Sequence, residues 1–311
     1  LLAMRAAGEI DEILVVDDRS TDDTAAAARA MGATVLVTPQ NGGPGVARNL
    51  AAEHAAGDVL WFVDSDVIAW GDGAQKVRAA FADPEVGAVF GSYDDAPDGQ
   101  HWFSRYKNLM NRFYHQTARK DAATFWAGCG AVRAEVFRRI GGFDVETYRV
   151  PSIEDIELGY RIRRAGSRIV LDPTLLGKHL KVWTPKGALH TDIFRRALPW
   201  SRLMIAREGV ANDLNTSQAE RLKAVLAGLL ILSVLALPFA LGLWWLPVAL
   251  AAAALALNWR LFAFLRGNGG VWFAVRALAW HQFYYVYSAA AFVWCLFEFH
   301  VLGRKNRLHV P

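Results

Sequence analysis

The chain has 311 residues, 53% of them hydrophobic and 21% charged, with a formal net charge of +4. This excludes a disordered or fibrous chain, and it is more apolar than an ordinary soluble domain. Residues 220–311 hold two acids (Glu220, Glu298) against eight bases, so the basic excess belongs to the tail and points to an anionic membrane surface rather than nucleic acid.

Residues 1–7 are too short for a signal peptide. From there to about residue 180, short apolar runs alternate with helical stretches. Residues 12–17 read as a buried strand, 21–31 as a helix and 34–38 as a strand. A Gly/Pro loop at 41–45 leads into a helix at 46–56, and 58–64 is the next strand. Continuous apolar strands separated by helices predict an α/β fold with a mostly parallel, doubly covered sheet. Cys129 and Cys295 are too far apart in sequence to suggest a disulfide framework or a thiolate metal site, and read as two buried free thiols.

Residues 182–209 change character. Ile193, Phe194, Ala197, Leu198, Trp200, Met204 and Ile205 recur at roughly helical spacing among Arg195, Arg196, Arg202 and Arg207, with Pro199 as a predicted kink. This reads as a basic amphipathic helix at a membrane interface, with a surface helix of the preceding domain as the alternative. Residues 224–243 carry no charge, which is long enough to span a bilayer core. Residues 246–265 are a second candidate, and Gly242-Leu243-Trp244-Trp245-Leu246-Pro247 makes a short aromatic link between them. The pair predicts a transmembrane hairpin, with Arg221, Lys223, Arg260 and Arg266 on one, cytoplasmic, side. Residues 278–302, which include His281 and Glu298, are expected as a third span, although the basic end at Arg304-Lys305-Asn306-Arg307 would then fall on the opposite side. The predicted organisation is a catalytic domain at 1–183, an interfacial segment at 184–219 and a transmembrane region at 220–311.

Three acidic constellations carry candidate chemistry. Asp17-Asp18-Arg19-Ser20-Thr21-Asp22-Asp23 follows a strand, where open α/β sheets bind ligands, though a plain capping turn reads equally well. Asp64-Ser65-Asp66 ends another apolar strand. Two carboxylates so close repel unless a cation joins them, and hard oxygen ligands favour Mg²⁺ or Mn²⁺ with a nucleotide diphosphate completing the shell; a solvated loop is the alternative. Glu154 and Asp155 open a helix, either as dipole-stabilising acids or as a carboxylate general base aimed into a cleft.

Taken in order, Asp17-Asp18-x-Ser20-Thr21-Asp22, Gly45-Val46-Ala47-Arg48-Asn49, Asp64-x-Asp66, Gly128-Cys129-Gly130-Ala131-Val132-Arg133 ahead of Gly141-Gly142-Phe143-Asp144, and Glu154-Asp155 resemble the family 2 inverting glycosyltransferases of GT-A (Rossmann-like) fold over residues 8–183. The apolar tail resembles those of membrane-bound members, among them polyprenyl-phosphate sugar transferases and polysaccharide synthases. The resemblance implies that Asp18, with Asp17, contacts the nucleotide base or ribose, and that Arg48 lies near the nucleotide while Asn49 is structural. It implies that Asp64 touches the ribose or the metal, that Asp66 is the main metal ligand, and that Gly128 leaves room at the cleft. Asp155 is the implied catalytic base with Glu154 beside it. His179 is a further metal or diphosphate contact, or else a solvated loop residue.

The implied reaction is metal-dependent transfer of a sugar from a nucleotide diphosphate sugar to a lipid-linked or glycan acceptor with inversion, by an enzyme in the cell membrane whose catalytic domain is cytoplasmic. The alternatives are a processive polysaccharide synthase and a catalytically inactive membrane scaffold of the same fold. Processive synthases carry Gln-x-x-Arg-Trp, where this chain has His179-Leu180-Lys181-Val182-Trp183. A dinucleotide oxidoreductase is disfavoured, because the strand-to-helix turns lack Gly-x-Gly-x-x-Gly and carry acids instead. Residues 1–7 align with the end of the family's first helix, so the strand and helix that normally open the sheet are expected to be missing, with a cost in stability.

Overall fold

A computed structural model describes residues 1–99, 101–209 and 214–304. The described residues form two compact units, one of residues 1–96 and 115–180, the other of 97–99, 101–114, 181–209 and 214–304. The second therefore takes most of a helix from within the first unit's sequence, so the division is not the simple succession expected at residue 183.

In the first unit, α1 (Leu2–Ala6) precedes β1 (Leu14–Asp17), α2 (Thr24–Ala30), β2 (Thr34–Val37), α3 (Gly43–His54), β3 (Val59–Val63), β4 (Val67–Ala69), α4 (Gly73–Ala80) and β5 (Val86–Tyr93). After α5 (Trp102–Thr117) come β6 (Cys129–Arg133), α6 (Ala134–Arg139), α7 (Glu154–Arg164) and β7 (Arg168–His179). β1 and β2 form a parallel pair, Leu14 opposite Thr34 and Asp17 opposite Val37. The other five strands make a separate sheet in the order β3-β6-β5-β7-β4.

The expectation of a mostly parallel sheet is corrected here. Within the five-stranded sheet only β5 and β7 run parallel; β3–β6, β5–β6 and β4–β7 are antiparallel. An apolar run reports that both faces of a strand are covered, and says nothing of its direction. β5 is buried at every position. Its Ala88 and Phe90 join one apolar cluster with Leu60, Val132, Leu158 and Ile169, while Val89 and Tyr93 join another with Val67, Val77 and Ala131. Alternate residues feed opposite faces, as strand geometry requires. Each fully buried aliphatic or aromatic side chain there contributes about 1.5–3 kcal/mol.

The second unit is helical. Leu109, Tyr106, Phe103, Met110 and Phe113 of α5 pack with Trp183, Leu261, Leu265 and Phe273. The run from residue 185 to 208 consists of α8 (Pro185–His190), a π-helical turn Thr191–Ala197, α9 (Leu198–Leu203) and a second π-helical turn Met204–Glu208. Pro199 sits at the start of α9 and is buried. The wide π turns beside it absorb the missing N–H bond. Trp200, Leu203 and Met204 are buried, and Arg202 is paired with Glu298 at 2.9 Å. Of the apolar stripe expected to face a membrane interface, Trp200 and Met204 are thus buried within the unit, while Phe194 is exposed.

α10 (Gln218–Ala236), α11 (Trp245–Leu257) and α12 (Trp259–His300) complete the fold. Among the described residues one helix, Gln218–Phe239, is long and apolar enough to cross a membrane, and only 6% of its apolar stretch is buried. The second expected span, 246–265, is not one helix, because the chain turns by 74° between Leu241–Leu257 and Trp259–His300. That bent pair counts as a second crossing only if it is a single broken span, so three spans are not found among the described residues. Of the basic end, Lys305 and Arg307 lie outside the described residues.

Candidate active site

Asp17 ends β1, and its Oδ1 accepts a hydrogen bond from Ser20 N at 3.0 Å. The Ser20 hydroxyl and backbone hold this carboxyl below its usual pKa. Asp18 is spent on the neighbouring loop. Its Oδ1 accepts from Thr38 Oγ1 at 2.8 Å and Gly42 N at 2.9 Å, and its Oδ2 accepts from Gly43 N at 2.7 Å. Gly43 has φ +81°, and a Cβ there would lie 3.1 Å from the Arg149 carbonyl oxygen, so only glycine enters this turn without strain. Asp18 thereby closes the N-terminus of α3, where a carboxylate is favoured.

One turn into α3 stands Arg48. Its Nη2 lies 2.6 Å from Asp64 Oδ1 and its Nη1 3.4 Å from Glu154 Oε1. Its guanidinium carbon lies 5.4 Å from the centre of the Phe143 ring. Burial opposes the charge, but Asp64 and Glu154 outweigh it and hold the arginine's pKa above its ordinary value. Phe143 is fixed in turn by Asn49, whose Nδ2 donates to the Phe143 carbonyl at 2.9 Å and whose Oδ1 accepts from Phe143 N at 2.8 Å. Asn49→Ala leaves both backbone groups unpaired, and we expect a loss of about 2–4 kcal/mol in denaturant unfolding. A loss below about 1 kcal/mol would show the clamp to be dispensable.

Asp155 lies at the start of α7. Gly159 lets this helix sit against the preceding loop: a Cβ there would lie 2.4 Å from Phe125 N. Asp155 Oδ2 accepts from Ala127 N at 3.3 Å and Oδ1 from Ile156 N at 2.8 Å. Burial pushes its pKa up, the neighbouring Glu154 adds to this, and Arg48 pulls back, leaving it at about 7. Glu154 is buried, and its Oε2 accepts from Ser152 N at 2.7 Å. Gly128 follows Ala127, and its carbonyl accepts from Asp64 N at 3.1 Å, so one loop ties the α7 carboxylate to the end of β3. Beside it, burial raises the Cys129 thiol to about 11 and keeps it protonated.

The Asp-x-Asp pair is divided. Asp64 faces Arg48, whereas Asp66 Oδ2 lies 3.5 Å from His179 Nε2. His179 is not the solvated loop residue of the alternative reading. It is buried at the end of β7, opposite Val67 of β4, and stacks on Tyr93 with ring centres 4.2 Å apart. Among the described residues no three His, Cys, Asp or Glu side chains are grouped to hold a metal ion. The expected set of Asp64, Asp66 and His179 is therefore brought together only as Asp66 with His179, because Asp64 is taken by the arginine. Phe143 and Tyr93, which seat Arg48 and His179, were not among the sequence candidates. Phe143 belongs to the Gly141-Gly142-Phe143-Asp144 segment, and Tyr93 carries no local signal.

Residues 1–141 match the family described as glycosyl transferase family 2. Arg48, Asp64, Asp66 and Gly128 lie within the match, and Glu154, Asp155 and His179 beyond it. The pre-mycofactocin glycosyltransferase of Mycobacterium tuberculosis is 28% identical over 196 residues, covering 57% of this chain and 40% of that protein. An uncharacterized protein of the same organism is 29% identical over 163 residues, covering 46% of this chain and 50% of its own length. The chain thus spans half or less of the length of these curated relatives. In solved structures, the mannosyltransferase PcManGT from Pyrobaculum calidifontis, in complex with GDP-Man and Mn²⁺, superposes with a TM-score of 0.52 at 22% identity, over 91% of this chain and 78% of that one. This likeness is one of fold and identifies the GT-A type. Over residues 1–141 the chain is similar to glycosyl transferase family 2.

Proposed function

We propose that the protein transfers a sugar from a nucleotide diphosphate sugar to a membrane-associated acceptor, a lipid or a glycan, with inversion and with a divalent cation. The observation that carries this reading is a carboxyl poised near neutrality, Asp155, beside a fixed cation, Arg48, at the sheet edge where the Asp-x-Asp pair emerges. An acceptor hydroxyl attacks the anomeric carbon in line, and Asp155 takes its proton. Arg48 balances the charge of Glu154 and Asp64, so that Asp155 can ionise at neutral pH. Asp17 lies at the end of β1, within the first unit, and Gly128 beside the Asp155 loop; both are offered as donor contacts.

Asp66 and His179 fit a divalent ion as two protein ligands, a carboxylate and an imidazole, with the donor's diphosphate oxygens filling the remaining positions. The ion supplies a Lewis acid for the departing diphosphate. A mannosyltransferase of this fold holds GDP-Man with Mn²⁺, which is in keeping with that reading. The exposed apolar helix at 218–239 supports attachment to a membrane, and the basic residues at its root support a cytoplasmic domain, a placement that protease protection in sealed vesicles reads directly.

The decisive experiment is a calorimetric screen of nucleotide sugars against the full chain, with and without Mn²⁺ or Mg²⁺. At least one should bind in a metal-dependent manner and be hydrolysed slowly in the absence of acceptor. Silence across the panel, with a folded protein, favours the inactive scaffold instead.

A further inference from the structure

The segment that follows the bend at Asn258 has no assigned role. Its inner face is fixed. Leu261, Leu265, Phe273, Ala274 and Ala277 are buried in the helical unit's core. Gly270, with φ +80°, interrupts the helix, and the carbonyl of nearby Asn268 accepts from Arg105 Nη2 at 2.6 Å. The same guanidinium lies 5.5 Å from the centre of the Phe273 ring. The outer face is different in kind. Trp259 and Trp272 are 52% and 77% exposed, and Val271 and Val275 are also exposed. Arg260, Arg266 and Arg276 stand exposed among them. No acidic residue occurs between Arg221 and Glu298.

The position of this face relative to the apolar helices gives it meaning. α10 and α11 form a hairpin whose root is joined by one side chain: the Tyr285 hydroxyl lies 2.7 Å from Glu220 Oε2, at the start of α10, and 3.1 Å from Asn258 Oδ1, just past α11. Gln218–Phe239, at 22 residues, is about 33 Å long and matches a bilayer core. The far end of the hairpin carries Phe239, 91% exposed, with Trp244 and Trp245. At the root the axis turns by 74° into the run Trp259–His300, which Gly270 interrupts. With the hairpin along the bilayer normal, the mean direction of that run lies nearer the membrane plane than the normal, and its start at Trp259 lies at the level where tryptophan rings and arginines meet headgroups.

We infer that residues 259–276 form an interfacial element that binds the anionic headgroups of a phospholipid bilayer through Arg260, Arg266 and Arg276, with Trp259 and Trp272 seated at the headgroup level. This rests on the membrane attachment proposed above and adds to it a site and a lipid chemistry. It places that interface at a segment other than residues 184–219, where Trp200 and Met204 are buried. Charge selects the occupant: three exposed arginines in a stretch of sequence without an acid prefer phosphatidylglycerol-type lipids over zwitterionic ones.

The test uses the full chain reconstituted in vesicles of phosphatidylcholine with or without phosphatidylglycerol. Two single-label variants, Trp272→Cys and Trp244→Cys, carry an environment-sensitive fluorophore; the native cysteines are buried. Both labels should leave water, and the label at 272 should move deeper as phosphatidylglycerol is added. Changing all three arginines to alanine should weaken that lipid preference roughly fivefold per arginine, and changing them to lysine should largely preserve it. A label at 244 that inserts while 272 stays aqueous overturns this inference alone. A label at 244 that stays aqueous overturns the membrane attachment itself, and the inference with it. Equal insertion of 272 in both lipids, unchanged by the alanine variant, removes the anionic-lipid assignment.

Discussion

Asp155→Asn is expected to lower the transfer rate by roughly 10²–10⁴-fold, the usual worth of a general base, while donor affinity stays within a few fold. The amide keeps the shape and the hydrogen bond from Ala127 N but cannot take a proton. The pH dependence carries the stronger test. With its pKa raised to about 7, Asp155 is protonated and idle in mild acid, so the wild-type rate should climb as pH passes through about 7 and level off above it. The climb should vanish in the asparagine variant. Stability should run the other way. The folded state holds the Asp155 proton more tightly than the unfolded chain, so this carboxyl's contribution is full below about pH 4 and is lost as pH rises through about 7. Above that pH, Asp155→Asn should melt no lower than the wild type, which separates a catalytic loss from a folding defect. A flat pH–rate profile with a fully active asparagine variant would falsify the base assignment, and points to an acceptor phosphate that is already ionised.

Much of this site was legible because acids at the ends of apolar strands are written locally. Asp64-x-Asp66 and Glu154-Asp155 needed only a strand before them or a helix after them to be noticed. The division of labour between them was not legible. Arg48 chooses Asp64 over Asp66, and Glu154 holds the same guanidinium from 106 residues further along the chain, so only folding brings the three together. The Asn49 clamp on Phe143, across 94 residues, was invisible for the same reason. Strand existence followed from the apolar runs, whereas strand direction did not, because antiparallel strands covered on both faces show the same pattern. In the tail, hydropathy marked 246–265 as one span, yet Asn258 ends α11 there: its amide turns back to the Ala254 carbonyl at 2.9 Å and the helix axis bends after it. A single polar residue inside an apolar stretch thus decided between a straight helix and a corner.

The division of the Asp-x-Asp pair makes the metal prediction asymmetric. Asp66→Ala should abolish Mn²⁺- or Mg²⁺-dependent donor binding, since no neutral side chain replaces a hard carboxylate ligand. His179→Ala should weaken the metal and spare part of it, because one carboxylate and the diphosphate remain. Asp64→Asn should behave differently from both. Its oxygen faces Arg48 at 2.6 Å, so the amide should leave much of the metal affinity in place while freeing a half-buried guanidinium to pair with Glu154 alone. Arg48 would then pull less evenly on its neighbours, and the pH at which the transfer rate climbs should shift. Titrating Mn²⁺ into each variant with a nucleotide sugar present, followed by the loss of the free-ion paramagnetic signal, reads all three. Equal loss in Asp64→Asn and Asp66→Ala would mean that Asp64 leaves Arg48 for the cation once donor is present. Full retention in Asp66→Ala would sink Asp66 as a ligand altogether.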